Sequence, residues 1–153
     1  MNLRKKIGNI IPIINIKNDD TYYLSRKLKV RDIMVDNVVS MKGNASIESA
    51  VRSLCEKHIG SVVITDDEEK CEGIFTARDV LRVMLQGVTL DTPLKDVMTK
   101  NPITVRENNS YSQAISIVAS HGIRHLPVIN EKGRLTGIFS VRSFLDEIIG
   151  ITR

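Results

Sequence analysis

Thr76 and Asp79 are the residues of this 153-residue chain best placed to do chemistry. They stand three apart in the run Gly73-Ile-Phe-Thr-Ala-Arg-Asp79, where a strand pattern gives way to a helical one. That spacing puts the hydroxyl and the carboxylate on one face of a first helical turn. Two chemistries fit. The pair forms a capping box, with Thr76 as N-cap and the acid at N3. Alternatively, the carboxylate accepts from a vicinal diol such as the 2′- and 3′-hydroxyls of a ribose, as acids do in dinucleotide-binding folds. A carboxylate has several lone-pair sites, so both roles can coexist.

Catalysis finds little support. Thr76 and Asp79 have no partnered base, and neither Cys55 nor Cys71 has an obvious His neighbour. No Gly-x-Ser-x-Gly or Gly-x-x-x-x-Gly-Lys-Ser/Thr motif occurs. His58 and His121 close helical patterns, where they suit the helix dipole. No His/Cys/Asp cluster points to a metal. The cysteines read as small hydrophobes of a reducing compartment, with Cys55 on the apolar face of a helix. Three Tyr, three Phe and no Trp leave few platforms for stacking single-stranded nucleic acid. No run of 18 apolar residues is present, so no membrane span is expected. Asn9, Pro12 and Asn15 interrupt the Ile-rich start and no cleavage site follows, so a secretory leader is not expected and the cytoplasm is the expected location.

The elements that position Thr76 and Asp79 come from an internal repeat. Residues 30–82 align on 94–146 at a constant offset of 64 with no insertion, identical at 12 of 53 positions. The identities include Met34/Met98, Asn37/Asn101, Ser46/Ser110, Ala50/Ala114, Gly73/Gly137, Phe75/Phe139 and Arg78/Arg142. Each copy opens on a helical turn (Val30–Met34; Leu94–Met98) and a β-type run (38–41; 103–105). Ser46 or Ser110 then caps an amphipathic helix with apolar residues at i, i+3, i+4, i+7 and i+8. The first copy supplies Ile47, Ala50, Val51, Leu54 and Cys55, and the second Tyr111, Ala114, Ile115, Val118 and Ala119. A buried strand (61–64; 125–129), a polar turn (66–70; 130–134), a third strand (73–75; 137–139) and a closing helix (78–85; 142–149) complete the unit. One three-stranded sheet with helices on one face cannot bury its apolar surface alone. The expected fold is therefore α+β: two β-α-β-β-α repeats related by a pseudo-two-fold axis, sheets packed face to face with helices outside.

Over about residues 29–150 the chain resembles a tandem cystathionine-β-synthase (CBS) domain pair, a Bateman module. The resemblance rests on Val-Arg-Asp-Ile-Met34, Leu-Lys-Asp-Val-Met98-Thr-Lys-Asn-Pro-Ile103, Ile123-Arg-His-Leu-Pro-Val128, Gly73-Ile-Phe-Thr-Ala-Arg-Asp79 and Gly137-Ile-Phe-Ser-Val-Arg-Ser143. It divides the chain into an arm (1–28), repeat one (29–87) and repeat two (92–150). It implies a cytosolic regulatory module, often a disc-like homodimer, that binds adenosine compounds in clefts between the repeats. AMP, ADP and ATP are the expected ligands, with S-adenosylmethionine and NAD as further candidates, and no cofactor is required. In the family this Asp holds the ribose, so Thr76, Arg78 and Asp79 form one wall. Thr99, Asn101, Pro102 and Ile103 border the adenine, and Ile123 packs on it. Arg124 and His125, just before the Leu126-Pro127-Val128 strand, suit a phosphate: Arg as permanent charge, His as pH-sensitive. A solvated strand end and a half-buried imidazole are the bland alternatives. Pro127 is counted with the site.

The second cleft would use Val39, Gly60, Ser61, Ser140 and Ser143. Ser143 stands where the family has Asp, and Gly60 and Ser61 stand opposite Arg124 and His125, so this site is expected to be weaker. A catalytic barrel of the kind in which related pairs are inserted needs about 250 residues. The chain is therefore expected to be a sensor, not an enzyme, signalling by a shift in repeat orientation or dimer arrangement.

The competing reading lies in the net charge of +4. Residues 1–29 hold seven Lys/Arg against two Asp, together with six Ile. Residues 30–153 hold fifteen basic against sixteen acidic residues. The basic excess belongs to the arm, which could contact nucleic acid or an anionic surface, dock an unidentified target protein, or lie on the core.

Overall fold

A computed structural model describes residues 28–142. The 1–27 part of the arm, Ser143 and most of the second closing helix lie outside the described residues.

Helix α1 (Val30–Ile33) precedes β1 (Ser40–Met41), α2 (Ile47–Glu56), β2 (Ser61–Thr65), β3 (Cys71–Thr76) and α3 (Ala77–Leu85). The second copy runs α4 (Leu94–Val97), β4 (Thr99–Lys100), β5 (Val105–Arg106), α5 (Tyr111–His121), β6 (His125–Ile129) and β7 (Leu135–Ser140). The backbone is again helical at Val141 and Arg142. Ser46 and Ser110 cap α2 and α5 by accepting from the amides of Ser49 and Gln113. At the polar turns, Asp66 and Asn130 each accept two backbone amides through their side-chain oxygens.

Two sheets form, β1-β2-β3-β4 and β5-β6-β7. In each, the first pair is parallel and the next antiparallel. Alternation along β2 sends Val62 and Ile64 into one helix-backed core with Ile47, Leu54, Phe75 and Val83. Leu126 and Val128 of β6 enter another with Ala114 and Phe139. The opposite faces are buried as well: Ser61, Val63 and Thr65 on β2, and Pro127 on β6. Sheet therefore lies against sheet, with helices outside. A Lys70–Arg134 bridge, with the Leu135 amide donating to the Glu69 carbonyl at 2.9 Å, ties the two polar turns together.

Two features differ from the sequence reading. First, the repeats exchange their leading turns. Val30 and Ile33 pack in the second core with Leu126 and Phe139, while Leu94 is buried in the first with Ile47 and Phe75. β4 consequently joins β3 of the other repeat, making the first sheet four-stranded instead of three. This exchange explains two identities of the repeat. A Cβ on Gly137 would sit 2.6 Å from Met34 Sδ, and one on Gly73 would overlap Met98, so each Met crosses a strand at a glycine. Second, Cys55 is exposed, although its spacing puts it on the apolar side of α2. α2 ends at Glu56, so its last turn overhangs the core that Leu54 still reaches.

Candidate ligand-binding clefts

Thr76 closes β3 and caps α3. Its hydroxyl oxygen accepts from the Asp79 amide at 3.3 Å. Asp79 Oδ2 accepts from the Thr76 amide at 2.8 Å and the Thr76 hydroxyl at 2.7 Å. The capping box is therefore made. Asp79 Oδ1 accepts from Arg82 Nη2 at 2.8 Å, and the same nitrogen donates to the Val97 carbonyl at 2.8 Å. The Asp79 side chain keeps 14% of its exposure. Three of roughly four lone-pair positions on the carboxylate are thus taken, which narrows the room for a two-pronged diol contact.

On the far side of β3, Thr99 is registered with Ile74, and the Asn101 amide donates to the Glu72 carbonyl at 3.0 Å. Asn101 has a φ of 46°, a left-handed turn that sends Pro102 and Ile103 out of the sheet. Thr99, Asn101 and Ile103 are exposed, and Pro102 is half-buried. Arg78 is exposed on the first turn of α3.

The phosphate-side residues reach this turn through Gly60. The Gly60 carbonyl accepts from the Ala77 amide at 3.0 Å, and Ser61 is registered with Thr76. The His125 ring lies over Gly60 so closely that a Cβ there would be 2.5 Å from Nε2. Gly60 thus meets both the start of α3, through the Ala77 amide, and the His125 ring, and Arg124 just before His125 is exposed. Ile123 is half-buried against the second core. Burial, and then the charge of Arg124, push the His125 imidazole below its ordinary 6.5. At neutral pH the permanent charge on this edge is therefore the Arg124 guanidinium. Pro127 is fully buried and registered with Ile138, so it shapes β6 and presents no surface to a ligand.

The other cleft holds an open cavity of about 540 Å³, lined by Asn37, Val38, Val39, Ser40, Lys57 and Ile59. By the repeat offset, these positions correspond to Asn101, Pro102, Ile103, Thr104, His121 and Ile123. Val39 is among the lining residues. Ser61 and Ser140 are buried, and Gly60 lies under His125, so none of these three lines the cavity. Ser143 lies outside the described residues. Asn37 and Lys57 were missed, although the offset from Asn101 points to Asn37. Lys57 ends α2 and gives this cleft a cation that its strand residues lack. Among the described residues no cluster of His, Cys, Asp and Glu could hold a metal. None of their helices is long and apolar enough to cross a membrane.

The CBS domain family model matches residues 30–86 and 94–150. The chain belongs to the CBS domain family. An uncharacterised 17.7 kDa protein of Acidianus ambivalens is 32% identical over 123 residues, covering 80% of this chain and 74% of that one. An inosine-5′-monophosphate dehydrogenase of Nitrosopumilus maritimus is 30% identical over 116 residues, 74% of this chain but only 23% of the enzyme. CBS pairs thus occur within enzymes as well. A CBS domain protein from Pyrobaculum aerophilum, solved with AMP, superimposes with a TM-score of 0.72 at 26% identity, covering 80% of this chain and 99% of its own. The CBS domain pair of protein MJ0100, solved with 5′-methylthioadenosine and S-adenosyl-L-methionine, gives 0.70 at 25% identity, covering 75% and 94%.

Proposed function

We propose that this chain is a regulatory module that binds an adenosine-containing ligand, AMP, ADP or ATP first among them, in the cleft between its CBS repeats. The observation that carries this reading is the Asp79 carboxylate on the first turn of α3, with His125 on Gly60 and Arg124 next to it in the chain. The carboxylate accepts from a ribose and the guanidinium pairs with a phosphate. The adenosine ligands of the structural relatives support the same class, S-adenosylmethionine included. The module acts by binding, not catalysis, and in the cytoplasm, where adenine nucleotides are abundant.

A homodimer is part of the proposal. Leu81, Met84 and Leu85 are 64%, 65% and 90% exposed and share one stripe of α3 at i, i+3 and i+4 spacing. A second copy covering that stripe would give ligand binding a way to change the dimer arrangement.

Thermal melting with AMP, ADP, ATP, S-adenosylmethionine and NAD tests the reading. Ligand at 100 times its Kd adds about 2.7 kcal/mol of stability. Asp79→Ala should weaken binding about ten- to a hundredfold, the worth of one charge-assisted hydrogen bond. The absence of a shift with every adenosine compound would overturn the proposal.

A further inference from the structure

We infer that Arg82 is the group a ribose must displace from Asp79, and that its release frees the Val97 carbonyl and passes ligand binding to residues 94–101. This rests on the Asp79 cleft being an adenosine site. A carboxylate offers about four lone-pair positions, and a diol contacting it through both hydroxyls needs two. Three are occupied, by the Thr76 amide, the Thr76 hydroxyl and Arg82 Nη2. One donor therefore has to leave.

The Thr76 amide is fixed in the backbone, and the Thr76 hydroxyl belongs to the same cap. Arg82 is held only by its side chain, 43% exposed, and can exchange into water. With its guanidinium this open to water the ion pair is partly screened, so Arg82 is the donor that leaves.

Arg82 also holds something else. Its Nη2 carries two hydrogens, one spent on Asp79 Oδ1 and one on the carbonyl of Val97, the last residue of α4. From Val97 the chain runs directly into β4 and the left-handed Asn101, the segment that borders the cleft on its other side. A single guanidinium nitrogen thus ties two walls together, and a ribose drawing on Oδ1 pulls that tie apart. In the other repeat, the positions of Asp79 and Arg82 are Ser143 and Asp146. Carboxylate and guanidinium are lost together there, as expected of two halves of one device.

Calorimetric titration of the whole chain with adenosine and with 2′-deoxyadenosine, on wild type, Arg82→Met and Arg82→Lys, tests the exchange. Both ligands are uncharged, so loss of a cation does not itself change their attraction. Arg82→Met should bind adenosine up to about fivefold tighter, the worth of one exposed ion pair. 2′-Deoxyadenosine should change less, so the ratio of the two affinities rises. Arg82→Lys, keeping a charged donor, should stay close to wild type. Hydrogen exchange of amides 94–101 should quicken when adenosine binds wild type, and should be fast and unresponsive in Arg82→Met. An unchanged affinity ratio in Arg82→Met, with adenosine binding to wild type and lost in Asp79→Ala, overturns the exchange and leaves the cleft's function standing. Failure of wild type to bind adenosine overturns both.

Discussion

At the Asp79 cleft the charged groups already hold one another, carboxylate on its own helix cap and guanidinium on the carboxylate, and the His125 ring packs over Gly60. At the Val39 cleft the corresponding positions of the same repeat frame an open cavity, with Lys57 as its cation. The apolar positions that build each half match across the repeat, such as Phe75 with Phe139 and Ala50 with Ala114, and both halves bury them. The clefts part company at polar positions: Gly60 against Arg124, Ser61 against His125, Asp79 against Ser143. Shape thus follows the duplicated apolar pattern, while affinity and selectivity follow a few substitutions that leave the cores untouched. A repeat can lose a ligand without losing its fold.

The sharpest way to break this comparison is at the glycine under His125. Gly60→Ala puts a Cβ 2.5 Å from His125 Nε2 and must push the ring away. It should cost about 1–3 kcal/mol in urea unfolding. Pairing it with His125→Ala should recover much of that loss, and strict additivity of the two would show that the contact carries no energy. Next, Ser143→Asp returns the family's acceptor to the second cleft. Calorimetry should then show a second adenosine site gaining about tenfold or more in affinity, the scale of one charge-assisted hydrogen bond. Two equal sites in the unmodified chain would remove the asymmetry altogether.

A smaller effect separates the clefts by pH. His125 titrates below its ordinary 6.5 because burial disfavours the charged ring. As pH falls, the unfolded chain therefore takes up this proton before the folded one. The stability contribution is complete above 6.5 and declines as pH drops through that value toward the folded pKa. Unfolding curves at about pH 7.5 and pH 5 should show this slope in wild type and a shallower one in His125→Gln. An identical slope in the variant would assign the loss to other groups. Smallest of all, Lys57→Ala should weaken anionic ligands at the Val39 cleft by no more than about fivefold, because Lys57 is exposed. Uncharged adenosine should be unaffected, and a larger loss would make Lys57 a principal contact.

Much of this molecule was legible in the residues. The Ser46 and Ser110 caps, the Thr76–Asp79 capping box and the turns at Asp66 and Asn130 each depend on groups within four residues of one another, and all formed. Cys55 misled because amphipathic spacing says which side of a helix a residue occupies, not how far along the helix the core extends. β4 was missed because Thr99 and Lys100 become a strand only where β3 of the other repeat offers its edge. Pro127 belongs to the site by its place in the Leu126-Pro127-Val128 motif, yet full burial in β6 withdraws it from a ligand.

The sequence by itself determined the duplicated apolar pattern, the local caps and turns, and the confinement of the basic excess to the first 29 residues. Tertiary structure alone decided that the leading turns trade places, that His125 lies on Gly60, and that Arg82 holds Asp79 and Val97 at once. The physical reason is range. A hydrogen bond across one helical turn is fixed by the backbone that both partners share, and is written in their spacing. A ring resting on a glycine 65 residues away exists only once two sheets have closed on each other.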